Sequence, residues 1–124
     1  MSIIWKFLTL FTLGSLNSAC AKQYTILINP AGDAQQAGRM INGSLERGIA
    51  LQVAEYLKTA LEEKYNPLRV IITRTAGETI APLQIASFSN RLEADLFISL
   101  HFFQEKQGTT PVFLYYYCQH PITD

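Results

Sequence analysis

Two residues of this 124-residue chain pair metal-capable chemistry with positions where such side chains are costly to leave idle. Glu46 stands four residues before Ala50 and seven before Val53. It therefore opens the apolar stripe of a helix on its core-facing side. A carboxylate facing a core must be paired, hydrogen-bonded or bound to metal. An acid in a first helical turn also complements the helix dipole, so position alone leaves both readings open. His101 closes the apolar run Asp95-Leu-Phe-Ile-Ser-Leu-His101. An imidazole there is either a hydrogen-bonded rim residue or a functional group. Asp33 lies in a polar loop, where an Asx-type turn is its default role. Cys118-x-His120 adds two metal-capable groups, too few to close a site by themselves. Tyr115 to Tyr117 read most simply as a half-buried strand.

The rest of the composition narrows the classes. The chain carries 10 Lys and Arg against 10 Asp and Glu, two His, two Cys and 48% hydrophobic residues. That length holds one domain, and the apolar fraction is ample for a core. Zero formal charge and a pI near 6.7 exclude a nucleic-acid binder that works by neutralising phosphates. The basic residues are scattered, and there is no Gly-rich phosphate loop. Two cysteines make no disulfide framework, and Cys and His are too few for a finger-type zinc site.

Residues 1–21 read as an address. Lys6 precedes an apolar run from Phe7 to Leu16, shorter than the roughly 20 residues that span a bilayer. Ala19-Cys20-Ala21 supplies a small-x-small cleavage pattern. We expect a signal peptide over 1–21 and export to the periplasm or cell envelope, with no stable membrane span. Lipidation at Cys20 is the alternative, and a buried N-terminal helix is the plainer one. Cleavage leaves Cys118 as the lone thiol, expected to be a small buried hydrophobe.

The positioning elements follow from the apolar pattern. Tyr24-Thr-Ile-Leu-Ile28 reads as a buried strand, ended by the turn chemistry of Asn29-Pro30-Ala31-Gly32-Asp33. A polar loop continues to about Ser44, and a loop of that length is commonly functional. Leu45, Ile49, Ala50, Val53, Ala54, Leu57, Ala60 and Leu61 then trace a helical stripe, stopped by Asn66-Pro67. Arg69 to Thr73 is a second strand. Pro82 opens another helix, Asp95 to His101 is a third strand, and Val112 to Tyr117 a fourth. Alternating strands and helices with continuous apolar strands predict an α/β domain over 22–124, a mostly parallel (mixed) sheet flanked by helices. Ligands of such sheets gather beyond the carboxyl ends of the strands. Asn29 to Asp33, Arg74 and His101 share that edge.

In this order, these segments resemble the zinc-dependent N-acetylmuramoyl-L-alanine amidases of bacterial cell walls. Three stretches carry the likeness. Ile26-Leu-Ile-Asn-Pro-Ala-Gly-Asp33 is similar to the family's opening strand and its Asp-Pro-Gly-His-Gly-Gly turn. Leu45-Glu46 and the helix after it match the place of a metal-binding Glu. Val70-Ile-Ile-Thr-Arg74 and Asn90-Arg-Leu-Glu-Ala-Asp-Leu-Phe-Ile-Ser-Leu-His101 resemble the strand ending Thr-Arg and the segment ending Ile-Ser-Ile-His. The resemblance implies hydrolysis of the amide between N-acetylmuramic acid and L-alanine in peptidoglycan. It implies Zn²⁺ held by two His and one Glu, with an open position for water, and a second Glu as general base.

Carried over residue by residue, Glu46 matches the metal-binding Glu and His101 the second metal-binding His. The first His falls on Gly32, whose neighbour Asp33 carries a carboxylate that zinc also accepts. Asn29-Pro30 replaces Asp-Pro, and Ala31 replaces the Gly after it. The Arg of the second helix falls on Ile85, and the Asn after the second His on Phe103. No residue inherits the general base, since no motif places Glu105 in that role. The expectation is a C-terminally truncated amidase-like domain with Glu46 and His101 as metal ligands, weak zinc binding and little or no turnover. The alternative is a non-catalytic envelope protein that binds peptidoglycan or a protein partner on the same fold.

Overall fold

The computed structural model describes residues 22–104. The signal peptide expected over 1–21, Cys20, Glu105, the strand expected over 112–117, Cys118 and His120 lie outside them. The elements run β1 (Tyr24–Pro30), β2 (Met40–Ile41), β3 (Ser44–Leu45), α1 (Glu46–Lys64), β4 (Leu68–Ile72), α2 (Pro82–Arg91) and β5 (Leu96–Leu100). β1 is the middle strand of a three-stranded sheet in the order β4-β1-β5, and both of its pairings are parallel. The expected α/β architecture is therefore present, with every described pairing of the main sheet parallel.

A central parallel strand is covered on both faces, so its apolar residues run continuously rather than alternate. Leu27 and Ile28 are accordingly both fully buried. α1 lies across β1 and β4. Glu46, Ala50 and Ala54 form its buried row at four-residue spacing. Small alanines bring the helix close to the sheet, where Ile28, Ala54 and Val70 make the centre of the core. Leu57, Leu61, Ile72, Ile98 and Leu100 pack around them. Ile28→Val deletes one methylene at this centre and is expected to cost about 1 kcal/mol. Chemical denaturation measures it, and an unchanged midpoint would contradict the core assignment.

Two polar devices fix the sheet. Asp95 N–H donates to Thr25 O at 2.9 Å, while Thr25 N–H donates to Asp95 Oδ2 at 2.8 Å. This reciprocal pair sets the register in which Ile26 faces Leu96. On the other side, Lys58 donates to Val70 O at 2.6 Å and Glu62 accepts from Val70 N–H at 3.0 Å. Side chains of α1 thereby satisfy the main chain of β4 at Val70.

The structure corrects the long loop expected to reach Ser44. Its second half is a β-hairpin, with Met40 facing Leu45 and Ile41 facing Ser44. Asn42 and Gly43 form the turn, with φ of 47° and 80°. Asn-Gly suits a two-residue hairpin turn because both residues tolerate positive φ. That signal stood in the sequence, but two-residue strands leave no apolar alternation to find. α1 begins at Glu46, with Leu45 in extended conformation before it. β1 runs on through Pro30, so Asn29 lies within the strand rather than just past it.

Candidate functional site

Every residue singled out for chemistry in the described region stands near the carboxyl ends of the parallel strands. β1 delivers the 31–38 loop, β4 delivers Thr73 and Arg74, and β5 delivers His101. α1 starts beside this edge and presents Glu46 from its first turn. Its first amides carry no side-chain cap. Backbone carbonyls of the loop take that role: Glu46 N–H donates to Arg39 O at 2.8 Å and Arg47 N–H to Ala37 O at 3.1 Å. Helix and loop are thus built as one unit, because orphan amides at a helix start need acceptors.

Glu46 is 4% exposed. Its Oε1 accepts from Phe102 N–H and its Oε2 from Arg39 N–H, each at 3.0 Å. The carboxylate therefore links the segment after β5 to the loop before β2. Burial works against its charge, but the Phe102 and Arg39 amides, with the Arg39 guanidinium and the nearby His101 ring, outweigh burial and hold the carboxyl below its ordinary value. Glu46 is an anion at neutral pH.

His101 Nδ1 lies 3.8 Å from Glu46 Oε1, and its Nε2 lies 3.1 Å from Ser99 Oγ. The imidazole is largely exposed and the carboxylate is not. Two donors on one zinc, with bonds of about 2.0–2.2 Å, stand roughly 3–4 Å apart, so this separation fits a shared metal. Ser99 Oγ is thus the hydrogen-bond partner of the ring nitrogen that faces away from Glu46.

The third position does not fit. Gly32 has φ of 73°, and a Cβ there would meet Arg47 Cβ at 2.7 Å and Gln36 O at 2.8 Å. Asp33 Oδ1 accepts from Gln35 N–H at 2.8 Å and Gln36 N–H at 2.7 Å, the turn role that its loop position suggested. Among the described residues, no group of three His, Cys, Asp or Glu is placed to hold a metal. Asp33 is thus not brought to Glu46 and His101.

The loop is held instead by two arginines that sequence reasoning left without this role. Arg47 Nη1 donates to Asp33 O at 3.2 Å and to Ala34 O at 3.0 Å. Arg74 is 6% exposed, and its Nη2 donates to Ala31 O and to Arg47 O, both at 3.0 Å. Thr73 Oγ1 donates to Asn29 Oδ1 at 2.7 Å, tying the ends of β1 and β4 together. The spacing from Val70 to Arg74 put Arg74 at this edge, but its carbonyl acceptors are fixed by tertiary packing.

The fold is thus a parallel α/β sheet with a buried carboxylate and an exposed imidazole 3.8 Å apart at its carboxyl edge. Comparison with known proteins sharpens it. The family described as N-acetylmuramoyl-L-alanine amidase matches residues 26–121. The N-acetylmuramoyl-L-alanine amidase CwlM of Bacillus licheniformis is 32% identical over 76 residues, which cover 61% of this chain and 30% of that protein. The sporulation-specific N-acetylmuramoyl-L-alanine amidase of Bacillus subtilis is 29% identical over a stretch of the same length. An N-acetylmuramoyl-L-alanine amidase structure from Clostridium difficile superimposes with a TM-score of 0.61 at 28% identity, covering 72% of this chain and 48% of that one. The catalytic domain of CwlV from Bacillus (Paenibacillus) polymyxa gives 0.60 at 21% identity, covering 68% and 48%, and supports the fold alone. This chain belongs to the N-acetylmuramoyl-L-alanine amidase family. It spans 30% of the length of the two curated relatives and just under half of these two structures.

Proposed function

We propose that Glu46 and His101 form a weak two-donor Zn²⁺ site, through which this chain engages peptidoglycan at the amide between N-acetylmuramic acid and L-alanine. The 3.8 Å approach of His101 Nδ1 to Glu46 Oε1 at the carboxyl edge of the sheet carries this reading. The family is generally zinc-dependent, and peptidoglycan is its substrate. Bound there, Zn²⁺ would supply Lewis-acid polarisation of an amide carbonyl and an acidified water.

The residues of this chain do the rest by position. Glu46 stays ionised because two backbone amides bond its oxygens, so it serves as a fixed anion rather than a proton donor. Ser99 steadies the His101 ring. Gly32 brings no donor, Asp33 is spent on its turn, and no motif assigns a described residue to general-base work. We therefore expect no measurable amide turnover by these 124 residues. Residues 1–21 act as an export signal in this reading, which places the chain in the envelope with its substrate. Among the described residues, no helix is long and apolar enough to cross a membrane.

One observation favours the second reading, a non-catalytic envelope protein. Both Glu46 oxygens already have amide partners, as a purely structural carboxylate would. Equilibrium dialysis of the full chain against Zn²⁺, beside His101→Ala, separates the two. We expect one zinc per chain, with affinity about tenfold or more weaker in the variant. A folded chain that takes up no zinc but sediments with insoluble peptidoglycan would establish the second reading. Release of L-alanine-linked peptides from peptidoglycan would overturn the expected lack of turnover.

A further inference from the structure

We propose that Gly38 is the positioning residue of the Glu46 carboxylate: the absence of a side chain there leaves the space in which that carboxylate is held. This inference rests on the proposed Glu46–His101 site and deepens it. Gly38 has φ of 74°, and a Cβ built there would lie 2.8 Å from both Cβ and Oε2 of Glu46 and 3.3 Å from its Cδ. Carbon atoms do not approach so closely without displacement, and packed interiors resist it. Any residue with a Cβ at 38 pushes against the whole length of the Glu46 side chain.

Neither side has room to yield. The residues flanking Gly38 are both tied to α1, through Ala37 O to Arg47 N–H and through Arg39 O to Glu46 N–H. These bonds pin Gly38 over the Glu46 stem. The next amide, Arg39 N–H, is the one that bonds Oε2. The same arrangement leaves Oε1 to meet Phe102 N–H and to face His101. Moving the carboxylate off Gly38 therefore disturbs Oε2, then Oε1, then the approach to His101. Gly38 touches neither metal nor substrate in this scheme, and its effect passes through Glu46.

Gly43 supplies the internal control. Its φ is 80°, close to that of Gly38, yet a Cβ there would meet nothing within 4 Å. Gly38→Ala and Gly43→Ala thus share the backbone penalty of a side chain at positive φ, and only the first crowds Glu46.

The experiment compares both variants in the full chain, with Glu46→Ala marking the loss of the carboxylate. The metal-free readout is the NMR resonances of the Arg39 and Phe102 amides. We expect them to move in Gly38→Ala towards their Glu46→Ala positions and to stay in place in Gly43→Ala. Zinc affinity should fall about tenfold in Gly38→Ala and hold in Gly43→Ala. Unmoved amides, or, where the parent binds zinc, an equal affinity in Gly38→Ala, would overturn the proposal. Displaced amides in a chain whose parent binds no zinc would uphold the positioning role while removing the metal reading. Should Gly38→Ala fold too weakly for these readouts, the denaturation midpoints decide. A loss confined to Gly38→Ala supports crowding at Glu46, and losses of equal size in both variants overturn it.

Discussion

Glu46→Gln should lower the stability of the metal-free chain by about 1–3 kcal/mol, although the two side chains are nearly the same shape. The carboxylate accepts two backbone N–H bonds, one at each oxygen. An amide side chain has one oxygen and one NH₂ group, so it satisfies Phe102 or Arg39 and presents a donor to the other. A buried donor left facing a donor loses its full desolvation compensation. The substitution also removes the charge that strengthens both bonds.

The acid side of the stability profile carries the same signature. The Glu46 carboxyl in the folded chain lies below its ordinary value of 4.5, so folding favours its ionised form. Its contribution is complete above the ordinary carboxyl range and is lost as pH falls through the lower folded value. Glu62, Glu78 and Asp95 are also depressed, Glu62 and Asp95 first by bonds from Lys58 and Lys22 and Glu78 by the Thr75 amide. Those surface groups act alike in parent and variant. Denaturation midpoints measured between about pH 6 and pH 3 should therefore converge as the solution is acidified. Two profiles that run parallel throughout would show that Glu46 gains nothing from its amide partners.

Gly32→His is expected to damage the fold rather than complete a zinc site. Position 32 is where the resemblance places the family's first metal-binding His, so the substitution looks like a restoration. The backbone there has φ of 73°, and a Cβ would stand 2.7 Å from Arg47 Cβ and 2.8 Å from Gln36 O. A non-glycine residue in that region costs about 1–3 kcal/mol, and overpacking adds about as much again. The crowding falls on Arg47, whose guanidinium holds Asp33 O and Ala34 O. We expect a total loss of about 2–6 kcal/mol and no gain in zinc affinity. Thermal denaturation with and without Zn²⁺ measures both. A variant as stable as the parent that binds zinc more tightly would mean the loop reshapes freely around a new ligand.

What was legible in the sequence follows from how local each signal is. β1 announced itself through the run Ile26-Leu-Ile28, because a strand covered on both faces carries apolar residues in succession rather than in alternation. α1 showed in the four-residue row of Glu46, Ala50 and Ala54, and Pro82 marked the first turn of α2. The same spacing put Glu46 on the buried side of its helix before any fold was known. The hairpin at Asn42-Gly43 escaped because strands of two residues carry no period, although the turn itself has a sequence signature.

By itself, then, the sequence determined the parallel α/β class, the family, the placing of Arg74 and His101 at one edge of the sheet, and Glu46 on the buried side of its helix. Periodicity and turn chemistry act over a few residues and can be read along the chain. The tertiary structure decided what those residues meet. Phe102 N–H reaches Glu46 across 56 positions and Arg74 reaches Ala31 across 43, distances in sequence over which no local pattern carries information. It also decided that Asp33 turns into its own loop and that Gly32 and Gly38 are closed to side chains by Arg47 and Glu46. Steric exclusion is a property of packed neighbours, and those neighbours are chosen only when helix, loop and sheet close on one another.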